Sequence, residues 1–97
     1  MARPAAHASP FHALADPTRR EVLELLRAKG PLDAGTILET LRDQGVKAGQ
    51  STLSQHLAVL RKCGMVSTKW VGQRHVYSYA PAAMKPVIRW VEPFRRG

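Results

Sequence analysis

The sequence predicts a mainly α-helical domain with one small β-hairpin, its elements running in the order helices, hairpin, helix. Three observations carry that prediction. Apolar residues recur at helical spacing ahead of Gly64, the period changes to two from Val66 to Tyr79, and a second helical seam of Met84, Val87, Val91 and Phe94 closes the chain. At 97 residues the chain has room for one domain, and a domain of this size buries only about two-thirds of its unfolded surface. A second copy would add stability.

Each element has a start and a stop. Met1 to Ala8 is rich in Ala and Pro without a period, which predicts a flexible arm over residues 1–9 ahead of a single domain over residues 10–97. Ser9 offers an N-cap and Pro10 a first-turn proline for a short helix from Pro10 to Ala15. Asp16 and Pro17 repeat that signal, and the stripe of Val22, Leu25 and Leu26 stops at Gly30 and Pro31. Asp33 caps a third helix carrying Ile37, Leu38 and Leu41, which ends near Gly45.

Gly49 opens the fourth helix, in which Leu53, Leu57 and Leu60 form one buried stripe and leave Gln50, Ser51, Ser54, Gln55 and Ala58 outward. Gly64 ends it. Val66, Thr68 and Trp70 then alternate with Ser67, Lys69 and Val71; beyond a turn at Gly72, His75, Tyr77 and Tyr79 alternate with Val76 and Ser78. Trp70 is either core on the inward face, the favoured reading, or exposed to DNA near the wing tip. The closing helix takes Pro86 in its first turn, and Pro93 limits how far it runs past Glu92. Helices, a helix with a polar head, a hairpin and a closing helix make a winged helix-turn-helix.

Charge points to the partner. Six of the seven acidic residues, Asp16, Glu21, Glu24, Asp33, Glu39 and Asp43, precede Gln44, the seventh is Glu92, and no carboxylate lies between Gln44 and Val91. Lys47, Arg61, Lys62, Lys69, Arg74, Lys85 and Arg89 fill that window, so with a formal net charge of +8 a polyanion is the natural partner. Gln50, Ser51, Thr52, Ser54 and Gln55 are short or medium polar groups at a helix head, where side chains reach base edges and N–H groups meet phosphates. Gln55 is suited to bidentate pairing with adenine. Gln73, Arg74 and His75 extend the set at the hairpin tip, with Arg74 the leading wing residue. His56 adjoins Leu57; a hydrogen-bonded structural ring and a DNA contact are both open, and the former is favoured. Arg61 and Lys62 fit the last-turn helix dipole as well as phosphate.

Other classes find little support. One cysteine excludes an internal disulfide, no apolar run approaches the roughly 20 residues of a membrane span, and no signal-peptide core is evident, so a cytoplasmic protein that engages no membrane is expected. Paired catalytic carboxylates and a glycine-rich phosphate loop are both missing, which argues against an enzyme and against a cofactor. His7, His12, His56 and His75 contain no i, i+4 pair, so no metal site is predicted.

The blocks FHALADPTRREVLELL, STLSQHLAVLRKCGMV and VGQRHVYSYAP, in that order, resemble those of the ArsR/SmtB-type bacterial repressors over roughly residues 10 to 92. The tail IRWVEPF and the LDAG segment are most similar to the non-metal branch typified by the autorepressor of sporulation-delaying immunity operons. This resemblance implies a homodimer joined through its first and last helices, reading a near-palindromic operator of double-stranded DNA and repressing transcription, with the inducer unspecified. On those helices the interface candidates are Phe11, Leu14, Met84, Val87, Ile88, Trp90, Val91 and Phe94. Metal-sensing members carry a Cys-containing box on the third helix or an Asp, His and Glu set on the last, and this chain has neither. Two alternatives stand beside a repressor: a winged-helix protein-interaction module with only electrostatic DNA binding, and a redox-responsive repressor using Cys63, although a structural thiol is the favoured reading of Cys63.

Overall fold

Side-chain acceptors set where the first three helices begin. The computed structural model describes residues 9–97, so the predicted arm, apart from Ser9, lies outside the described residues, as does His7. Ser9 Oγ accepts from the Phe11 N–H at 3.0 Å and opens α1 (Pro10–Leu14). Asp16 Oδ1 accepts from Thr18 and Arg19 at 2.8 and 3.1 Å and opens α2 (Pro17–Lys29). Asp33 Oδ1 accepts from Thr36 at 2.8 Å and opens α3 (Ala34–Asp43). Each acceptor satisfies N–H groups that have no partner inside the helix.

The helix ends are equally explicit. The Met65 N–H returns to the Leu60 carbonyl and that of Gly64 to Arg61, with Gly64 at φ 75°, which closes α4 (Gln50–Lys62) by a Schellman motif. Gly45, at φ 84°, ends α3 the same way through Val46 and Leu41. In the hairpin, Gly72 has φ 63° and among the described residues none other than glycine has positive φ, so the Gly72-Gln73 turn is type II′. It joins β2 (Val66–Val71) to β3 (Arg74–Tyr79), paired from Val66↔Tyr79 to Val71↔Arg74. The sequence reading did not include a third strand, β1 (Leu32–Asp33), which pairs with β3 and gives the order β1-β3-β2. Two residues are too few to show a period.

A 3₁₀ turn (Pro81–Met84) leads into α5 (Lys85–Arg95). Pro86 sits in the first turn as expected, and the helix runs past Glu92 only as far as Arg95, with Pro93 inside it. Its missing N–H frees only the Arg89 carbonyl, and Arg89 is exposed, so water can take that bond. The core is built from α2, α3 and α4: Val22, Leu26, Ile37, Leu41, Leu53, Leu57 and Leu60 are all but sealed, together with Met65 and Val66 at the start of the hairpin. No residue of α5 is buried.

Trp70 corrects the sequence reading. It is 68% exposed, not core. The alternation assigned it correctly to the face of Val66, but burial along β2 is lost from Val66 outward as the hairpin leaves the body of the domain. Period two identifies a face without saying how far the core covers it.

Two outcomes are expected. Leu57, 1% exposed, lies mid-stripe on α4, so Leu57→Ala should cost about 2–5 kcal/mol in urea unfolding; a loss below about 1 kcal/mol would show that α4 is not anchored there. Burial pushes the Cys63 thiol up, which depletes thiolate near neutrality. Cys63 should therefore react slowly with a disulfide reagent at about pH 8 in the folded protein and rapidly in urea, and Cys63→Ser should leave DNA binding equally insensitive to peroxide. Fast labelling of the folded chain would restore the redox reading.

Candidate nucleic-acid interface

Because Leu53, Leu57 and Leu60 pin one side of α4 into the core, its opposite side has to project. Gln50, Ser51, Ser54, Gln55 and Ala58 are all exposed, as the sequence predicts, and Thr52 is exposed with them. Gly49 supplies no side chain to the first-turn N–H groups, so they point outward beside a row of hydroxyls and amides. Such a head can donate to phosphate and present both donors and acceptors to base edges.

His56 has a different situation. Its ring is half-buried, with Nδ1 3.2 Å from Arg19 Nη1 and Nε2 3.7 Å from Asp16 Oδ1. A guanidinium only donates, so Nδ1 accepts and the ring proton sits on Nε2, facing the carboxylate. Arg19, which sequence reasoning overlooked, is buried and also donates from Nε to the Ala13 carbonyl at 2.8 Å and from Nη2 to the His12 carbonyl at 2.9 Å. It thereby satisfies the end of α1 and ties α1 and α2 to the reading helix. Asp16 followed three residues later by an arginine was the available signal, but nothing in the sequence placed His56 beside it. These contacts match the structural reading of His56.

At the wing, Gln73 and Arg74 are exposed and His75 is half-buried. Arg74 donates from Nε and Nη2 to Asp33 Oδ2 at 2.9 and 2.5 Å, while keeping 64% of its side chain accessible. The pair belts the wing to the start of α3. Hydrogen bonds from the Thr36 backbone and hydroxyl, followed by that from Arg74, hold the Asp33 carboxyl at about 2, so it remains a charged acceptor throughout the neutral range. On the other face of the hairpin, Trp70 stacks on its cross-strand neighbour His75 with centroids 4.8 Å apart and planes 23° apart. His75 in turn meets Tyr77 at 5.2 Å.

Between α4 and the wing lies a cleft of about 390 Å³ lined by Ser54, Leu57, Ala58, Arg61, Lys62 and Tyr77. It joins the reading helix to the wing within the acid-free half of the chain. A second surface lies on α1 and α5. Phe11 meets Trp90 edge to face at 6.0 Å, Trp90 meets Phe94 at 4.8 Å, and Ile88 and Val91 are also exposed. Leu14 and Met84 instead pack partly onto the chain's own core, and Val87 is half-buried. Among the described residues no group of three or more His, Cys, Asp or Glu side chains is placed to hold a metal ion, and no helix is long and apolar enough to cross a membrane.

Comparisons with known proteins agree with this geometry. The model of the arsR family of bacterial regulatory proteins matches residues 16–68. The transcriptional repressor SdpR of Bacillus subtilis is 32% identical over 84 residues, covering 87% of each chain. An HTH-type transcriptional regulator of Methanocaldococcus jannaschii is 33% identical over 82 residues, covering 84% of this chain and 86% of that one. A crystal structure of an ArsR family transcriptional regulator superposes with a TM-score of 0.70 at 23% identity, over 99% of this chain and 94% of the other, and shares the fold. The chain therefore belongs to the arsR family of bacterial regulatory proteins, a family of DNA-binding transcriptional regulators and not of enzymes.

Proposed function

We propose that this regulator is a homodimeric, sequence-specific repressor that binds a near-palindromic operator in the cytoplasm and controls its own operon without a metal signal. The observation that carries this reading is the two-sided reading helix. Its buried leucine stripe fixes the direction in which Gln50, Ser51, Thr52, Ser54 and Gln55 are presented, in a half of the chain without carboxylates. Occupancy of an operator by such a dimer would exclude polymerase.

The dimer reading is supported by the exposed aromatic cluster of Phe11, Trp90 and Phe94, with Ile88 and Val91 beside it. Apolar side chains of this size in one patch mark an interface. A two-fold pair would bring two reading helices to successive turns of a duplex, which is why the operator should be near-palindromic. The similarity to a curated repressor supports the sign of regulation.

Within this reading, Gln55 carries sequence preference and Arg74 carries sequence-independent affinity, with Gln73 and His75 beside it at the wing. Footprinting on the DNA upstream of the chain's own gene should show a protected, near-symmetric site, with affinity falling steeply as salt rises. Gln55→Ala should relax preference among operator variants by about 1–3 kcal/mol at one position, whereas Arg74→Ala should weaken specific and mixed-sequence DNA alike. Equal, uniform losses for both variants would refute this division. Calorimetric titration with zinc, nickel or arsenite should show no tight, operator-releasing binding; such binding would refute the metal-independent reading.

A further inference from the structure

The leading cation of the wing is already engaged in the folded chain. Arg74 follows the hairpin turn and pairs with Val71 at the tip, yet its guanidinium is drawn back toward the body of the domain, where Nε and Nη2 both donate to Asp33 Oδ2. The sheet register explains that direction. Asp33 lies opposite Val76, and Arg74 stands two residues from Val76 on the same face of β3, so the acid is a diagonal neighbour set inward from the tip. Among the described residues this is the only ion pair that joins the wing to the rest of the domain.

Asp33 is unable to follow the arginine outward. Its Oδ1 accepts from the Thr36 N–H at 2.8 Å and caps α3, and its backbone belongs to the pairing of β1 with β3. The hydrogen bonds from Thr36 and Arg74 keep the carboxylate charged through the neutral range. A phosphate beyond the wing tip therefore has to take the place of Oδ2 on the guanidinium. The two are chemically alike, since both offer anionic oxygens to one edge of an arginine. Arg74 keeps 64% of its side chain in solvent, so the exchange requires no rearrangement of the core.

We infer that Asp33 is a built-in brake on DNA affinity, a fixed carboxylate that occupies the phosphate-binding edge of Arg74 until a duplex displaces it. This rests on the DNA-binding reading above, in which Arg74 supplies sequence-independent affinity. It adds a residue outside both the reading helix and the hairpin that sets how large that affinity is. Because the exchange involves backbone phosphate alone, the brake acts equally on operator and on mixed-sequence DNA.

The test measures binding of the full chain to a fluorescein-labelled mixed-sequence duplex of about 30 base pairs at low salt, long enough for two half-sites. Asp33→Asn removes the charge and keeps the helix cap, since asparagine caps as well as aspartate; it should bind about fivefold tighter than the unaltered chain, with the urea midpoint retained. Asp33→Ser, a capping side chain one bond shorter, should gain a similar factor. In an Arg74→Ala background neither substitution should change affinity by more than about twofold, so the double-mutant cycle assigns the gain to the pair. An equal gain with Arg74 absent would overturn the brake, because net charge alone would then account for it. Unchanged or weaker binding by both Asp33 variants would also overturn it, the weaker result assigning Asp33 to the positioning of Arg74 on DNA. If the unaltered protein binds no duplex at all, the DNA-binding reading itself falls and takes the brake with it.

Discussion

Everything at the candidate surface depends on how α4 is held. The helix is buried along Leu53, Leu57 and Leu60 and exposed along its other side, and a domain of 97 residues has few alternative means of fixing a helix so firmly. A fully buried leucine contributes roughly 1.5–3 kcal/mol, so three of them fix the helix against rotation about its axis. A rotation by one residue, about 100° in an α-helix, would bury Ser54 and expose a leucine, which makes the outward orientation of the polar row a consequence of core packing. The reading face is thus set by residues that never reach solvent.

Arg19 adds a polar counterpart to that apolar anchor. A buried guanidinium is costly unless its donors are satisfied, and here they reach the His12 and Ala13 carbonyls and the His56 ring. One side chain therefore closes the end of α1, whose exposed aromatic neighbour Phe11 belongs to the proposed dimer surface, and touches α4 from beneath. The spacing between the two functional surfaces is set through this contact and the core around it.

Much of this was legible in the sequence because local rules and tertiary demands coincide. Ser9, Asp16 and Asp33 are caps in the structure as in the sequence, Gly64 ends α4 at positive φ, and the leucine stripe is buried where the heptad-like spacing put it. What escaped was non-local or quantitative. Strand β1 is too short for a period, and its pairing with β3 depends on residues more than forty positions apart. Trp70 was assigned to the right face and the wrong environment, since alternation carries no measure of depth. The Arg74 pair with Asp33 was likewise out of reach, because it bridges 41 positions.

That pair also changes the meaning of the acid-free window. Counting charges along the chain treated Asp33 as part of a remote acidic half, but folding brings it against the wing, where it neutralises the most prominent wing cation. The effective positive field is consequently less a property of the wing tip than of the α4 flank, where Arg61 and Lys62 have no carboxylate facing them in the cleft. With Arg74 tied on one face of the hairpin and an aromatic strip on the other, the wing is a stiff, modestly charged blade beside a more strongly charged helix end. Under the proposed function, sequence preference belongs to the head of α4, and the wing governs how squarely that head meets the groove.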